Sequence, residues 1–403
     1  MLRAITLLAF WFWQQDPQQE GIKALEAQNY TQAAEQFRKA TAQFPKEYAP
    51  HFHLALALSL LNQDAEAIAE YKKVLELDPT IYEAQLNLGI LLLRQKRPAE
   101  AAVPLKSAVD KKPKEFRPNF FLGEALFASD DPAAAISFQT ALEADPKSAA
   151  ATSGLARTLS KAGKLSEAAP FYHKAAELDP SFQDLLLELA DLHEKAKQPD
   201  EAIAIYRKFP QLPGVSERMG ALLLVKGSSD EAVPLLEAAV KASPTPANQF
   251  ALATAYVRTK ENAKALPLLT AAVNAEPKNW QLIMTLGRLL RDMKQYPNAA
   301  NVFARASQLQ PQQKESWSEL GGMLFVAENY PQALAAFDKL IELGEPTTGV
   351  FYFRAITLDH MHQYKLALPA YEKFLSLSQN KSPEEEFKSR QRIKVIQKEI
   401  AKH

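Results

Sequence analysis

Cysteine is absent from this chain of 403 residues, and glycine is scarce, with 13 residues. The absence of cysteine excludes disulfides, thiolate metal sites and a cysteine nucleophile. Scarce glycine beside abundant alanine and leucine favours helix. An excess of either charge is also absent, because Lys plus Arg and Asp plus Glu number 47 each. We therefore expect no nucleic acid partner and no general attraction to an anionic membrane.

The short motifs of common catalytic sites are missing as well. The sequence has no glycine-rich phosphate loop, no serine elbow and no HExxH. Two close histidine pairs occur, His51 with His53 and His360 with His362. Side chains two residues apart on a helix point about 200° apart, so neither pair shares a metal ion. Asp359 adjoins the second pair, but solvent exposure is the interpretation we favour there. The sequence predicts no enzyme, no cofactor and no metal site.

The first thirteen residues, MLRAITLLAFWFW, differ from the rest of the chain. Arg3 precedes an apolar run over residues 4–13, which is too short to span a bilayer and has the length of a signal-peptide core. The following residues, QQDPQQ, contain no small-x-small cleavage site. We expect a signal peptide and an exported, periplasmic or secreted protein without an integral membrane span. The alternative is an apolar extension that packs on the first helix of a cytoplasmic protein.

From there on the sequence repeats with a period of about 34 residues. Residues 66–80, EAIAEYKKVLELDPT, return at 167–181 as EAAPFYHKAAELDPS. Prolines close successive units at Pro45, Pro79, Pro113, Pro146, Pro180, Pro213, Pro244, Pro277, Pro311 and Pro346. An alanine series precedes them at Ala33, Ala67, Ala101, Ala134, Ala168, Ala202, Ala232, Ala265, Ala299, Ala333 and Ala367. A series of small residues lies further upstream, at Gly21, Ala55, Gly89, Gly123, Ala156, Ala190, Gly220, Ala253, Gly287, Gly321 and Ala355.

The spacing gives each series a physical role. Small residues are expected where two helices cross closely. Bulky residues follow the alanines by four positions, at Phe37, Tyr71, Phe138, Tyr172, Tyr206, Phe303, Phe337 and Tyr371. One helical turn apart, the alanine and the bulky residue share a face that packs on a neighbouring helix. Each proline then ends the second helix, because the residue before proline is disfavoured in the α region.

This pattern resembles the tetratricopeptide repeat, a helix–turn–helix unit of about 34 residues. Further residues of that pattern are Trp317 in a first helix and Tyr30, Tyr296, Tyr330 and Tyr364 before second helices. The resemblance covers residues 14 to about 380. It implies an all-α fold, a right-handed superhelical solenoid of about eleven repeats.

Residues 208–220, KFPQLPGVSERMG, interrupt the register, with about four residues missing. They divide the array into repeats 1–6, residues 14–213, and repeats 7–11, residues 214–380. A hinge is one interpretation, and a loop deletion within a continuous array is the one we favour. Residues 381–403 predict a terminal helix, with Ser382 as its N-cap and Pro383 as its first residue. Its apolar stripe of Ile393, Ile396 and Ile400 fits a capping helix, and a coiled-coil partner helix is the alternative.

The resemblance also implies a groove lined by the first helix of each repeat. The repeat register assigns to it Phe52, Glu83, Arg117, Phe120, Glu124, Phe127, Arg157, Asp191, Glu194, Phe250, Met284, Arg288, Arg291, Tyr352 and Asp359. Aromatic side chains mixed with both charge signs suit an extended peptide or a partner helix. The carboxylate clamp of chaperone-docking members and the asparagine ladder of glycosyltransferase-linked members are not matched.

The sequence therefore predicts a non-catalytic scaffold or adaptor that binds protein or peptide partners along this groove. An alternative is an accessory subunit that serves as a rigid spacer in a cell-envelope machine for polysaccharide or pilus export.

Export is testable without knowledge of the partner. Residues 1–30 fused to a periplasmic reporter enzyme should direct it across the membrane, because Arg3 and the apolar run form the signal pattern. The matched control replaces Leu7 and Leu8 by Arg, which should abolish export. A reporter that stays in the cytoplasm with the unaltered segment would support the packing alternative.

Overall fold

The computed structural model describes residues 16–212, 214–344 and 347–402. In these ranges the chain forms 23 α-helices, one 3-10 turn at Pro180–Phe182 and no strand. The first twelve helices are α1 (Pro17–Glu26), α2 (Tyr30–Gln43), α3 (Tyr48–Leu60), α4 (Asp64–Leu77), α5 (Tyr82–Arg94), α6 (Pro98–Lys111), α7 (Phe116–Ala128), α8 (Ala134–Ala144), α9 (Ala149–Lys161), α10 (Leu165–Leu178), α11 (Asp184–Lys195) and α12 (Pro199–Tyr206). The others are α13 (Val215–Lys226), α14 (Ser229–Ala242), α15 (Pro246–Arg258), α16 (Asn262–Ala275), α17 (Trp280–Asp292), α18 (Tyr296–Leu309), α19 (Lys314–Val326), α20 (Tyr330–Glu342), α21 (Thr348–His360), α22 (Tyr364–Ser378) and α23 (Pro383–Lys402). The all-α prediction is confirmed.

Odd-numbered helices α1 to α21 are the first helices of successive repeats, and even-numbered helices are the second helices. The chain divides into two compact units, of which the first ends at Ile205 and the second begins at Tyr206. The sequence had placed the division at residues 213 and 214, in the irregular segment. Pro213, Pro346 and the predicted signal segment 1–13 lie outside the described residues.

The alanine series forms the centre of each repeat. All eleven alanines lie on second helices and have no exposed surface. The bulky residues one turn later are buried as well, and Phe37, Tyr71, Phe138 and Phe303 are fully buried. Each repeat therefore encloses one large side chain beside a methyl group, as the spacing predicted.

The small-residue series lies opposite these bulky side chains. A Cβ atom built on Gly287 would lie 2.5 Å from Cε1 of Phe303, and one on Gly321 would lie 2.7 Å from Cε1 of Phe337. Such distances are far below van der Waals contact, so the ring occupies the space that a larger side chain would need. The small residue of each first helix thus allows the bulky residue of the second helix to approach the backbone.

The turn between the two helices of each repeat has a fixed conformation. One residue per turn lies in the left-handed region, with φ between 55° and 84°: Gln28, Asn62, Lys96, Asp130, Gly163, Lys197, Gly227, Lys260, Lys294, Glu328 and His362. Nine of these eleven residues are not glycine. The sequence separation between Lys197 and Gly227 is about four residues shorter than between other neighbours in this series. The residues missing from the repeat pattern therefore lie between these two turns.

The irregular segment follows a shortened helix. α12 has 8 residues, whereas most second helices have 14. Phe209 is 8% exposed and fills a buried position after α12, and Gly214, with φ of 80°, precedes α13.

The terminal helix α23 packs on the last repeat as a cap. Ile396 is fully buried, and Ile393 and Ile400 pack beside it against a cluster that contains Leu358 and Ala367. Arg392 donates two hydrogen bonds to Asp359 of α21, from Nε to Oδ2 at 2.6 Å and from Nη2 to Oδ1 at 2.7 Å. The Tyr371 hydroxyl donates to the same carboxylate at 3.1 Å.

The predicted crowding at the small series gives opposite expectations for two adjacent glycines of α19. Gly321→Ala should destabilise the second unit by about 1–2 kcal/mol, because overpacking against Phe337 outweighs the gain in helix propensity. Gly322→Ala should stabilise it by up to about 1 kcal/mol, because nothing lies within 4 Å of its Cβ position. Thermal unfolding followed by circular dichroism measures both. Equal shifts of the two melting temperatures in the same direction would contradict the proposed crowding.

Candidate protein-binding site

A cavity of about 510 Å³ lies on the first-helix face of the first unit, between α5 and α7. Ile90 and Leu93 of α5 form one wall, and Phe120, Phe121 and Glu124 of α7 form the other. Ile90 and Leu93 are three positions apart and lie on one side of α5, and Phe120 and Glu124 are four positions apart and lie on one side of α7. The cavity is open to solvent and mostly apolar, with one acidic group among the described residues that line it.

The aromatic wall is held by ring contacts. The Phe120 ring stacks on Phe116, with centroids 5.4 Å apart and planes 10° apart. It also meets Phe121 edge to face at 5.2 Å and the fully buried Phe138 at 6.1 Å. These ring contacts fix the orientation of Phe120 in the cavity wall.

Glu124 is the unusual group of the cavity. Its side chain is half-buried, and burial raises the pKa of its carboxyl, whereas the nearby Arg157 guanidinium acts in the opposite direction. Within the described ranges, no hydrogen bond or ion pair reaches this carboxylate. Because the cavity is open to solvent, water satisfies this carboxylate in the free protein, and its partial burial makes the charged form less favourable than at an exposed position.

The two guanidinium groups nearest the cavity are engaged elsewhere. Arg157 binds Glu188 of α11, with Nη2–Oε2 at 2.7 Å and Nε–Oε2 at 3.0 Å, and Glu188 also accepts from the Tyr172 hydroxyl at 2.8 Å. Arg94 is paired with the buried Asp64 of α4, where its Nε donates to Oδ2 at 2.7 Å. Both guanidinium groups are thus hydrogen-bonded to carboxylates of neighbouring repeats. The Arg157 charge still acts on Glu124 through space, but neither arginine donates a hydrogen bond to it.

Other predicted groove charges form similar bridges between repeats. Arg291 donates from Nη1 to both oxygens of Glu319, at 2.6 and 2.8 Å. Arg288 contacts Glu315 of the same following helix. Asp191 pairs within its own helix with Lys195 at 2.6 Å. The two arginine pairs join successive first helices, and the Asp191 pair lies along one helix. All three pairs therefore connect parts of the fold.

The remaining predicted charges are not gathered into a site. Glu83 and Arg117 are exposed, and Glu194 is half-buried on α11.

The predicted aromatic residues lie at separate places. Phe127 does not share the cavity of Phe120: it lines a smaller one of about 280 Å³ beside Asp130 and Thr158, under Lys161 at 5.1 Å. Phe120 and Phe127 therefore line different cavities, although both pack against the same buried cluster around Phe138.

Three further aromatics complete the predicted set. Phe52 packs edge to face on Tyr71 at 5.7 Å. Phe250 lines a cavity of about 160 Å³ beside Leu282, and the Tyr352 ring packs 4.9 Å from the Phe374 ring.

Two predicted groove residues are buried, and their assignment to a binding surface was wrong. Met284 is 1% exposed, because the first helix turns this position into the packed interior of its repeat. Asp359 is 8% exposed and serves as the carboxylate that Arg392 of α23 binds. The repeat register alone predicted neither the interior packing of Met284 nor the pairing of Asp359 with Arg392.

The cavity also contains residues that the sequence analysis did not name for the groove. Ile90 and Leu93 occupy the same repeat positions as Glu124 and Phe127, 34 residues earlier in the chain, whereas Phe121 lies outside the positions assigned to the groove. The Phe120–Phe121 doublet was the available signal, because two adjacent phenylalanines on a helix cannot both face the same core.

Two absences among the described residues concern metal ions and membranes. No group of three or more potential metal ligands is found there, and no helix has the length and apolar character needed to cross a bilayer. His51 instead bonds Glu70 at 2.6 Å, and His360 stacks on Tyr330 at 4.6 Å.

Models of the tetratricopeptide repeat family match residues 19–80, 65–116, 86–149, 120–181, 159–224, 218–279 and 284–346. The chain belongs to the tetratricopeptide repeat family. Its fold is typical of protein–protein interaction scaffolds and is generally non-catalytic.

One curated relative is the human Protein O-mannosyl-transferase TMTC1, which is 27% identical over 185 residues. This match covers 45% of the chain and 18% of the relative's length. Among solved structures, MamA from Desulfovibrio magneticus RS-1 is 22% identical, with a TM-score of 0.39 over 41% of this chain and 94% of that one. A Naa15/Naa10 complex bound to HypK-THB is 15% identical, with a TM-score of 0.43 over 94% of this chain and 78% of that one.

The half-buried Glu124 carboxylate predicts a pH-dependent stability difference. Burial raises the pKa of the Glu124 carboxyl in the folded state. The charged carboxylate therefore lowers the free energy of unfolding at neutral pH, and this destabilisation is lost as the pH falls below the ordinary glutamate pKa. Glu124→Gln should therefore raise the melting temperature by about 1–3 °C at pH 7. The difference from the wild type should shrink toward zero near about pH 4.

Glu83→Gln is the control for this measurement, since it removes the same charge from an exposed position of α5. Its melting temperature should stay near the wild-type value at both pH values. A stability loss in Glu124→Gln at pH 7 would show that the carboxylate has a favourable partner.

Proposed function

We propose that this tetratricopeptide repeat protein is a non-catalytic adaptor whose first-helix face binds a protein or peptide partner at the α5–α7 cavity. The observation that carries the proposal is the half-buried Glu124 carboxylate, unbonded in the described structure, inside an open apolar cavity with fixed aromatic walls. Interface hot spots combine apolar or aromatic anchors with a few well-placed polar groups in desolvated pockets. The other charged first-helix residues fit this role less well. Arg157, Arg288 and Arg291 are engaged in bridges between repeats, and Glu83 and Arg117 are exposed.

The second-helix surface of the first unit also has a cavity, of about 570 Å³, beside α8 and α10. Its charged lining residues Glu143, Glu167 and Lys174 are exposed, whereas Glu124 is half-buried. Val103 of α6 and Ile136 of α8 are each 71% exposed, but they lie on different second helices as single apolar side chains. Isolated exposed apolar residues are normal on soluble proteins. We therefore place the partner on the first-helix face.

We also propose export of the protein, on the basis of Arg3 and the apolar run at 4–13. If the chain is exported, the second candidate function is the spacer subunit of a cell-envelope export or assembly machine. A role as an enzyme finds no support in the sequence, which lacks catalytic motifs. The transferase named among the relatives shares only a minor part of its length with this chain.

Site-specific photo-crosslinking tests the adaptor proposal. p-Benzoylphenylalanine replaces the exposed Ala128, which lines the cavity, or the exposed Val103, which lies on the second-helix surface. In cells of the source organism, irradiation should yield a discrete crosslinked partner from position 128 and none from position 103. Equal products from both positions, or a product from position 103 alone, would contradict the assignment of the partner to the first-helix face.

A further inference from the structure

The cavity between α5 and α7 selects for charge. Glu124 is its single acidic side chain among the described lining residues, and its carboxylate is half-buried without a hydrogen bond or ion pair. Of the two lining cations, Arg94 is held by Asp64 and Lys96 is exposed at the turn after α5. An exposed ammonium is hydrated and screened by salt. The group inside the cavity that has no bond to another described residue is therefore an anion, and its complement is a cation.

The aromatic wall selects among cations. Phe120 and Phe121 present two rings at 67° to each other beside the carboxylate. A guanidinium is planar and weakly hydrated, stacks on aromatic faces, and donates two parallel hydrogen bonds to one carboxylate. An ammonium is compact and strongly hydrated, so it loses more solvation in an apolar cavity. The wall and the carboxylate together favour arginine over lysine.

The opposite wall determines what flanks the cation. Ile90 and Leu93 are partly buried apolar side chains without charge. Apolar side chains next to the arginine would cover this wall, whereas acidic neighbours would compete for the guanidinium.

We propose that the α5–α7 cavity is an arginine-binding site, in which Glu124 pairs with the guanidinium of a partner segment that carries apolar residues beside its arginine. This inference rests on the proposed adaptor function and names the chemistry of its ligand. The bidentate pair would give Glu124 the hydrogen-bond donors that it lacks in the described structure.

Defined peptides test the site on the full-length protein. Three fluorescein-labelled pentapeptides, Gly-Leu-Xaa-Leu-Gly, carry arginine, lysine or the neutral isostere citrulline at the central position. Fluorescence anisotropy should show the arginine peptide binding at least about tenfold more tightly than the citrulline peptide, with the lysine peptide between them. Glu124→Gln should remove this preference and leave the affinity for the citrulline peptide nearly unchanged.

Glu35→Gln serves as the matched control, because it removes one carboxylate from an exposed position of the second helix α2, outside the cavity lining and the predicted groove, and should keep the tenfold preference. A preference for arginine that survives Glu124→Gln would overturn the inference, since general charge attraction would then explain it. Absence of binding by the arginine peptide at millimolar concentration would overturn it as well.

Crosslinking at position 128 separates this inference from the adaptor proposal. A crosslinked partner from that position combined with no arginine preference would leave the adaptor proposal standing and remove the arginine site. Failure of crosslinking together with failure of peptide binding would remove both. The circular dichroism melt of Glu124→Gln verifies that lost binding does not reflect lost folding.

Discussion

The contact between a small residue of each first helix and a bulky residue of the following second helix sets the geometry of every repeat. A phenylalanine or tyrosine ring reaches the backbone of the first helix because no larger side chain is present there, as at Gly287 and Phe303. The alanine one turn before the ring lets the helices remain close along their length. This contact fixes the rotation of each helix about its own axis. That rotation determines which of the other residues face outward. The positions available for binding follow from this internal contact.

That geometry brings residues of successive first helices close to one another. Arginines such as Arg157 and Arg291 reach carboxylates about thirty residues later in the chain and form bidentate pairs with them. Partly exposed pairs of this kind add little stability individually. They nevertheless engage three arginines of the first-helix face, Arg157, Arg288 and Arg291. Glu124 is distinctive because it is half-buried and has no such bond among the described residues. At the chain end, Arg392 instead reaches the buried Asp359, where loss of one partner would leave an isolated buried charge.

The fold could be predicted almost completely from the sequence, because the small, alanine, bulky and proline series are local in spacing and reflect one repeated contact. The start of the terminal helix at Pro383 and its isoleucine stripe were predicted for the same reason. The residues of the candidate cavity could be predicted only in part. Phe120 and Glu124 were selected by register, but Met284 and Asp359 satisfied the same rule and are buried. Their environments depend on contacts with α23 and with neighbouring helices, which no spacing within one repeat encodes.

The left-handed residue in each turn has a consequence for engineering the thermostability of the chain. At nine of the eleven turns that position is occupied by a residue other than glycine, for example Lys260 or Glu328, although a left-handed side-chain-bearing residue costs about 1–2 kcal/mol. Glycine would relieve this strain, and part of the gain would be offset by its greater freedom in the unfolded chain. Because a repeat interacts mainly with its neighbours, such gains at distant turns should add. With Lys96 left unchanged at the cavity, the turns form a periodic set of sites at which resistance to heat can be raised while the recognition surface stays intact.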